Sequence, residues 1–233
     1  MTAHTTQKPH QSLLTLVCFN FSAPKINEAQ ASSQPQPQPP QPPLKPPKEI
    51  FIHIDLKGAR PQLQFWINFC RLLRDWGGVH GLILEWEDSY PLEVLRMYHQ
   101  EWAYSRQEAA RMTTVAEDCG LKCIPLCQTF GHLEYVLKHF NHLREHPERP
   151  DCLVPIESFT DESFGIVTQL IDDVFNICPL APAIHLGGDE VWHLGSGMRS
   201  QDRMERGETK GDLYLKHYSF VIDYVLRKYP GRY

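Results

Sequence analysis

Ala183-Ile-His-Leu-Gly-Gly-Asp-Glu-Val-Trp-His-Leu194 joins a short apolar run, two glycines and two adjacent carboxylates. The run Ala183 to Leu186 predicts a strand, and Gly187-Gly188 let the backbone bend or approach a ligand closely, which delivers Asp189 and Glu190 to the mouth of a sheet. In an extended segment neighbouring side chains point to opposite faces, with Cα atoms about 3.8 Å apart. Convergence of both acids on one ligand therefore needs a turn, which the glycine pair can supply. Taken alone, the two acids read as a solvated pair or a helix cap as readily as chemistry. The rest of the chain must provide the fold that decides.

Upstream, a strand-then-helix unit recurs. Glu49 to Ala59 carries apolar residues at 50, 51, 52 and 54, the pattern of a strand buried on both faces, with Asp55 and Lys57 at its carboxyl end. Pro61 then opens an amphipathic helix with Leu63, Trp66, Ile67, Phe69, Cys70 and Leu73 on one face, stopped by Gly77-Gly78. Val79 to Glu85 is the next strand, its end bearing Glu85, Trp86, Glu87 and Asp88. A short helix over Pro91 to Met97 is expected in the loop. Ser105-Arg-Gln-Glu108 is then a capping-box start to a long helix that reaches Glu117 and ends at Gly120. Leu121 to Cys127 gives a third strand, in which Pro125 weakens regular pairing. A loop with His132, His139, His142 and His146 follows. Helices are predicted over Asp161 to Asn176 and Leu213 to Tyr229.

Four such units in succession, with carboxylates just past the strand ends, describe a parallel α/β fold whose site lies on that edge. Both a (β/α)8 barrel and a doubly wound sheet use that edge. No Gly-x-Gly-x-x-Gly or Gly-x4-Gly-Lys-Ser/Thr motif follows any strand, which weighs against nucleotide binding. Residues 1–48 are a separate segment: Gln30 to Pro47 is mostly Pro, Gln and Ser, and reads as an extended, disordered tail ahead of a catalytic domain over 49–233.

Composition narrows the functional class. A net charge of -5 with dispersed basic residues offers no surface for nucleic acid. No stretch reaches the roughly 18 to 20 apolar residues of a membrane helix, and Ser12 to Phe19 falls short of a signal peptide. Seven cysteines at irregular spacing form no C-x-x-C pair, so buried free thiols in a reducing compartment, cytoplasm and nucleus, are the expectation. His139, His142 and His146 lack a metal-ligand spacing and read as surface histidines.

His185-Leu-Gly-Gly-Asp-Glu-Val191 resembles the strand-4 signature of family-20 glycoside hydrolases, the β-N-acetylhexosaminidases. Further motifs, His53-Ile-Asp-Leu-Lys-Gly-Ala59, Leu84-Glu-Trp-Glu-Asp88, Gln128-Thr-Phe-Gly-His-Leu-Glu-Tyr-Val-Leu-Lys138 and Val191-Trp-His-Leu-Gly195, resemble one branch of that family in the same order, over roughly residues 50 to 230. The resemblance implies a (β/α)8 TIM-barrel type of fold, truncated here to about the first four βα units. It also implies a retaining, substrate-assisted reaction on glycans with terminal N-acetyl-galactosaminide or glucosaminide residues, with no cofactor and no metal. Glu190 would be the general acid and base, suited by a pKa raised through burial beside Asp189, and Asp189 would orient the sugar's acetamido group. His132 would help position substrate and carboxylates. Asp55, Glu85 and Asp88 stand where acceptors for sugar hydroxyls are expected, and each reads equally well as a solvated loop acid.

Two departures from the family follow. Where better-known members carry an arginine three residues past the strand-1 aspartate, this sequence has Gly58, with Lys57 and Arg60 nearby. Aromatic walls of the acetamido pocket would lie in four further strands beyond Tyr233. Two other readings stay open: a catalytically dead half-barrel that binds a partner or pairs as a homodimer, and a metal-dependent barrel enzyme using Asp55, Glu85 and Asp189 as ligands.

Overall fold

The computed structural model describes residues 48–232 except 59, 91 and 99–101. The expected Pro/Gln-rich tail over 1–48 therefore lies outside the described residues save for Lys48, as does the apolar run at Ser12 to Phe19.

Three parallel strands form the sheet, β1 (Phe51–Asp55), β2 (Gly81–Glu85) and β3 (Lys122–Leu126), in that spatial order. Their register sets Asp55 beside Glu85, and Glu85 beside Leu126, so the acid-bearing ends align. Crossover helices α1 (Leu63–Trp76) and α2 (Arg106–Asp118) link them. Alternation along the central strand divides its side chains between two cores. Leu82 and Leu84 face the helices in a large apolar core, while Ile83 joins Phe51, Ile124 and Leu126 in a small cluster on the other face. Ser105 caps α2 through the reciprocal capping box expected from its spacing to Glu108.

The predicted fourth strand is reduced to one bridge, a correction to the four-strand expectation. Leu126 and His185 pair in parallel, with His185 N–H donating to Pro125 O at 2.9 Å and Cys127 N–H donating to His185 O at 2.9 Å. The next bond back along the ladder needs an N–H from residue 125. Proline has none, so pairing stops before Ala183. Forward, Gly187 and Gly188 turn away with φ of 68° and 106°. The sheet is accordingly small and open.

Two pieces went unread in the sequence. The histidine-rich loop holds a short helix α3 (Glu134–Leu137) and an antiparallel hairpin of β4 (Arg144–His146) and β5 (Arg149–Leu153). After α4 (Glu162–Ile177), a helix α5 (Met198–Glu205) precedes the long α6 (Lys210–Lys228), itself started by a Thr209–Asp212 capping box. The short helix expected over 91–97 is a 3₁₀ helix at Glu93–Tyr98. Among the described residues, no helix is long and apolar enough to cross a membrane.

Packing between α1 and α2 is keyed by Trp66, which is fully buried and donates its indole N–H to Met112 O at 2.9 Å. Trp66→Ala should lower unfolding free energy by about 3–5 kcal/mol, read from urea denaturation. A loss below about 1 kcal/mol would mean that the helix pair does not depend on this contact.

Candidate active site

The glycine turn after His185 brings Asp189 and Glu190 onto one histidine. His132 Nε2 lies 3.4 Å from Asp189 Oδ2 and 3.4 Å from Glu190 Oε2. Asp189, Glu190 and His132 were expected to share a site, and they stand together. The turn is packed from below: Tyr214 donates its hydroxyl to Gly188 O at 2.9 Å, and a Cβ at Gly188 would stand 2.3 Å from the Tyr218 hydroxyl. No side chain fits there.

Helix α6 also holds the loop that carries His132. His217, fully buried, stacks on Phe130 with ring centroids 3.9 Å apart. Its Nε2–H donates to Thr129 O at 3.0 Å while its Nδ1 accepts the Ile156 N–H at 3.3 Å, so the ring is a neutral tautomer. Burial pushes its pKa down to about 3, and it serves as structure. Hairpin β4–β5 fixes the segment after the acids. Glu145 Oε1 accepts the N–H of Gly195 at 2.8 Å, and His193 pairs with Asp151 at 2.7 Å.

Backbone strain marks the same edge. The non-glycine residues with left-handed φ among those described are Glu87 (43°), His132 (53°) and Glu190 (52°). Each lies just past the carboxyl end of a different sheet segment. Such conformations cost on the order of 1–3 kcal/mol each and persist where surrounding packing imposes them.

Glu85 sits at the centre of the edge and is only 5% exposed. Its Oε2 meets His53 Nε2 at 2.9 Å and its Oε1 accepts from Gln128 Nε2 at 2.8 Å. Burial pushes this carboxyl up, but the two hydrogen bonds and the His53 charge outweigh it and hold the pKa at about 2. The hydrogen bond to Glu85 raises the His53 pKa against burial, and Asp55 and Asp189 add to it. Glu87, buried beside Lys57, has its carboxyl pushed up to about 8 by burial, with the Lys57 charge pulling the other way.

Asp55 is half exposed and accepts its own loop's Lys57 N–H at 3.0 Å. Asp88 also lines a cavity of about 560 Å³ with Tyr90, Glu93, Arg96 and Asp173, which none of the other expected site residues lines. The acid pair is open to solvent, with 65% of the Asp189 side chain and 51% of the Glu190 side chain exposed. Burial of Glu190, expected from the family resemblance, is not provided by the described residues, because no element packs over that side of the turn.

His53, Gln128, Glu87 and the α6 tyrosines were not read as site residues. A signal existed for His53, which stands two residues before Asp55 on one strand and so shares its face. Among the described residues, no three His, Cys, Asp or Glu side chains stand close enough to hold a metal ion, so Asp55, Glu85 and Asp189 do not form a ligand set. His139 stacks on Tyr98 and His142 pairs with Glu162. The six cysteines described are free, and burial raises the thiols of Cys70 and Cys123 to about 12, out of the nucleophile range.

No protein-family model matches the chain. Over 185 residues it is 39% identical to human hexosaminidase D, a match covering 78% of this chain and 37% of that protein. The bovine hexosaminidase D is 38% identical over 184 residues, covering 77% of this chain and 52% of the relative. The chain thus spans about half or less of the length of these relatives. In fold it is similar to a β-N-acetylhexosaminidase from Bacteroides fragilis, with a TM-score of 0.64 at 18% identity over 79% of this chain and 40% of that one. A Vibrio harveyi GH20 exo-β-N-acetylglucosaminidase, solved with N-acetylglucosamine, gives 0.59 at 16% identity over 78% and 34%.

Linkage through the Glu85–His53 pair gives a pH test. Glu85, held below its ordinary 4.5, contributes stability that is full above that value and lost as pH falls toward 2. His53, raised above 6.5, contributes stability that is full below 6.5 and lost as pH rises through its folded value. The melting-temperature difference between the protein and His53→Gln should therefore be largest between about pH 4.5 and 6.5 and shrink toward pH 9. A difference constant across that range would show that His53 carries no charge in the fold.

Proposed function

This chain is a sequence relative of hexosaminidase D, and on that premise we propose that it carries the acid-bearing edge of a β-N-acetylhexosaminidase site. The three strands and the bridged fourth segment are, in this reading, the opening arc of a (β/α)8 barrel, with about four βα units in the chain. The substrate is a glycan ending in N-acetylgalactosamine or N-acetylglucosamine. The observation that carries the reading is the equal approach of His132 to both acids on a turn that α6 holds in place.

The reaction is retaining and substrate-assisted. The acetamido oxygen attacks C1 as the glycosidic C–O bond breaks, and Glu190 gives its proton to the departing oxygen. Water then adds to C1 and returns a proton to Glu190, opening the oxazolinium ring. Asp189 accepts from the acetamido N–H and stabilises the cation, while His132 holds both carboxylates in place. Glu190 is left open by residues 48–232, so in this reading the wall that shields it comes from outside them.

Glu190→Gln should reduce hydrolysis of a 4-nitrophenyl N-acetylgalactosaminide or glucosaminide by about 10²-fold or more in an active form containing residues 48–232. Unchanged turnover would remove Glu190 as the acid.

A second reading, pairing of two copies as a homodimer, has its own support. Phe65, Leu72 and Trp76 on α1, and Leu215, Ile222 and Leu226 on α6, are exposed apolar residues at helical spacing on the first and last helices. Sedimentation equilibrium at micromolar concentration should give twice the 27.0 kDa chain mass if this holds. A monomer would exclude it.

A further inference from the structure

His132 and Glu190, both at left-handed φ, meet across a 3.4 Å contact, and each lies in a short segment pinned at both ends. For His132 the pins are backbone bonds to β5: Leu153 N–H donates to Phe130 O at 3.0 Å, and Leu133 N–H donates to Asp151 O at 3.1 Å. For Glu190 the first pin is Gly188 O, which accepts the Tyr214 hydroxyl at 2.9 Å. The second is His193, whose Nδ1 lies 2.7 Å from Asp151 Oδ2. Asp151 therefore grips both segments, one through its carbonyl and the other through its carboxylate.

The two segments also touch. A Cβ at Gly131 would stand 2.6 Å from Asp189 O, so the backbone of the His132 loop packs directly on that of the acid turn. Residues 189–192 alone separate Gly188 from His193, and within them Trp192 N–H donates to Glu190 O at 2.8 Å. A strained residue relaxes unless its surroundings fix it from both sides, and the bond from His193 to Asp151 is what fixes the far side here. Glu145 adds to the hold from β4 by accepting the N–H groups of Gly195 at 2.8 Å and Gly197 at 3.3 Å. Both glycines lie further along the chain than His193, so Asp151 is the nearer grip.

We propose that Asp151 is a positioning residue of the site, which keeps Glu190 and His132 in the left-handed conformations that set their approach. Loss of its carboxylate frees the segment beyond the acids, so Glu190 relaxes toward an ordinary φ and its carboxylate leaves His132. The carbonyl bond to Leu133 survives that change, because it belongs to the backbone. That the strained pair serves a reaction rests on the proposed hexosaminidase reading; that Asp151 holds the pair does not.

Thermal melts of the full 233-residue chain test the hold by comparing glycine with alanine at position 190. Both substitutions remove the carboxylate, and only glycine takes a left-handed φ without strain. With Asp151 intact, Glu190→Gly should melt about 2–4 °C above Glu190→Ala. In the Asp151→Ala background that gap should close or reverse, because glycine then brings only its larger unfolded-state entropy. Asp151→Asn, whose amide oxygen still accepts from His193 Nδ1, should keep the gap. His193→Ala removes the same bond with Asp151 in place, so it should close the gap too and serves if Asp151→Ala does not fold. A residue that only adds stability would lower every melting temperature and leave the gap. A gap unchanged in both backgrounds, or absent with Asp151 intact, overturns the proposal. In an active form containing residues 48–232, Asp151→Ala should lower kcat about tenfold with KM within about twofold, and Asp151→Asn should restore most of it. A loss confined to KM overturns the positioning role, whereas the hexosaminidase reading stands or falls on Glu190→Gln.

Discussion

An ionised carboxylate can sit almost wholly buried only if its charge is answered in place, and Glu85 sets that condition for the whole sheet edge. His53 from β1 and Gln128 from the loop after β3 each take one of its oxygens, so three neighbouring strands are tied at their carboxyl ends by one side chain. The tie reaches further. Gln128 lies against Gly187, where a Cβ would stand 2.0 Å from its amide oxygen, and Gly187 begins the turn that presents Asp189 and Glu190. Removing either partner would leave a buried charge unanswered, which costs far more than the pair itself contributes.

Around that tie the structure divides labour between a rigid support and an open edge. Helix α6 immobilises both the His132 loop and the glycine turn through Tyr214, His217 and Tyr218, with the ring of His217 stacked flat on Phe130. The hairpin β4–β5 does the same for the segment beyond the acids through Glu145 and Asp151. What projects from this support is polar and about half exposed or more, Asp55, Lys57, Asp189 and Glu190, with the less exposed His132 against the last two.

Much of this was legible in the sequence, because periodicity reports burial. Buried strands read as short apolar runs and helices α1, α2, α4 and α6 as amphipathic stripes, and all were found within a few residues. The fourth strand was over-read for a reason local pattern cannot carry: Ala183 to Leu186 is apolar enough, but its ladder depends on an N–H that Pro125, some sixty residues away, does not have. Hairpin β4–β5 was missed because Arg144–His146 and Arg149–Leu153 are polar and held by Glu145 and Asp151 in contacts remote in sequence. In the site, the acids announced themselves through Gly187-Gly188, but no composition rule marks Glu87 or His132 as left-handed. That conformation is imposed by packing.

The three left-handed residues place the sheet edge where stability and chemistry compete. Glycine at 87, 132 and 190 would relax the backbone and, on backbone grounds alone, stabilise the fold by removing strain. A chain drifting free of selection for chemistry would gain by moving those positions toward glycine or asparagine. Glutamate, histidine and glutamate stand there instead, so any effort to make this protein more robust meets the proposed site first.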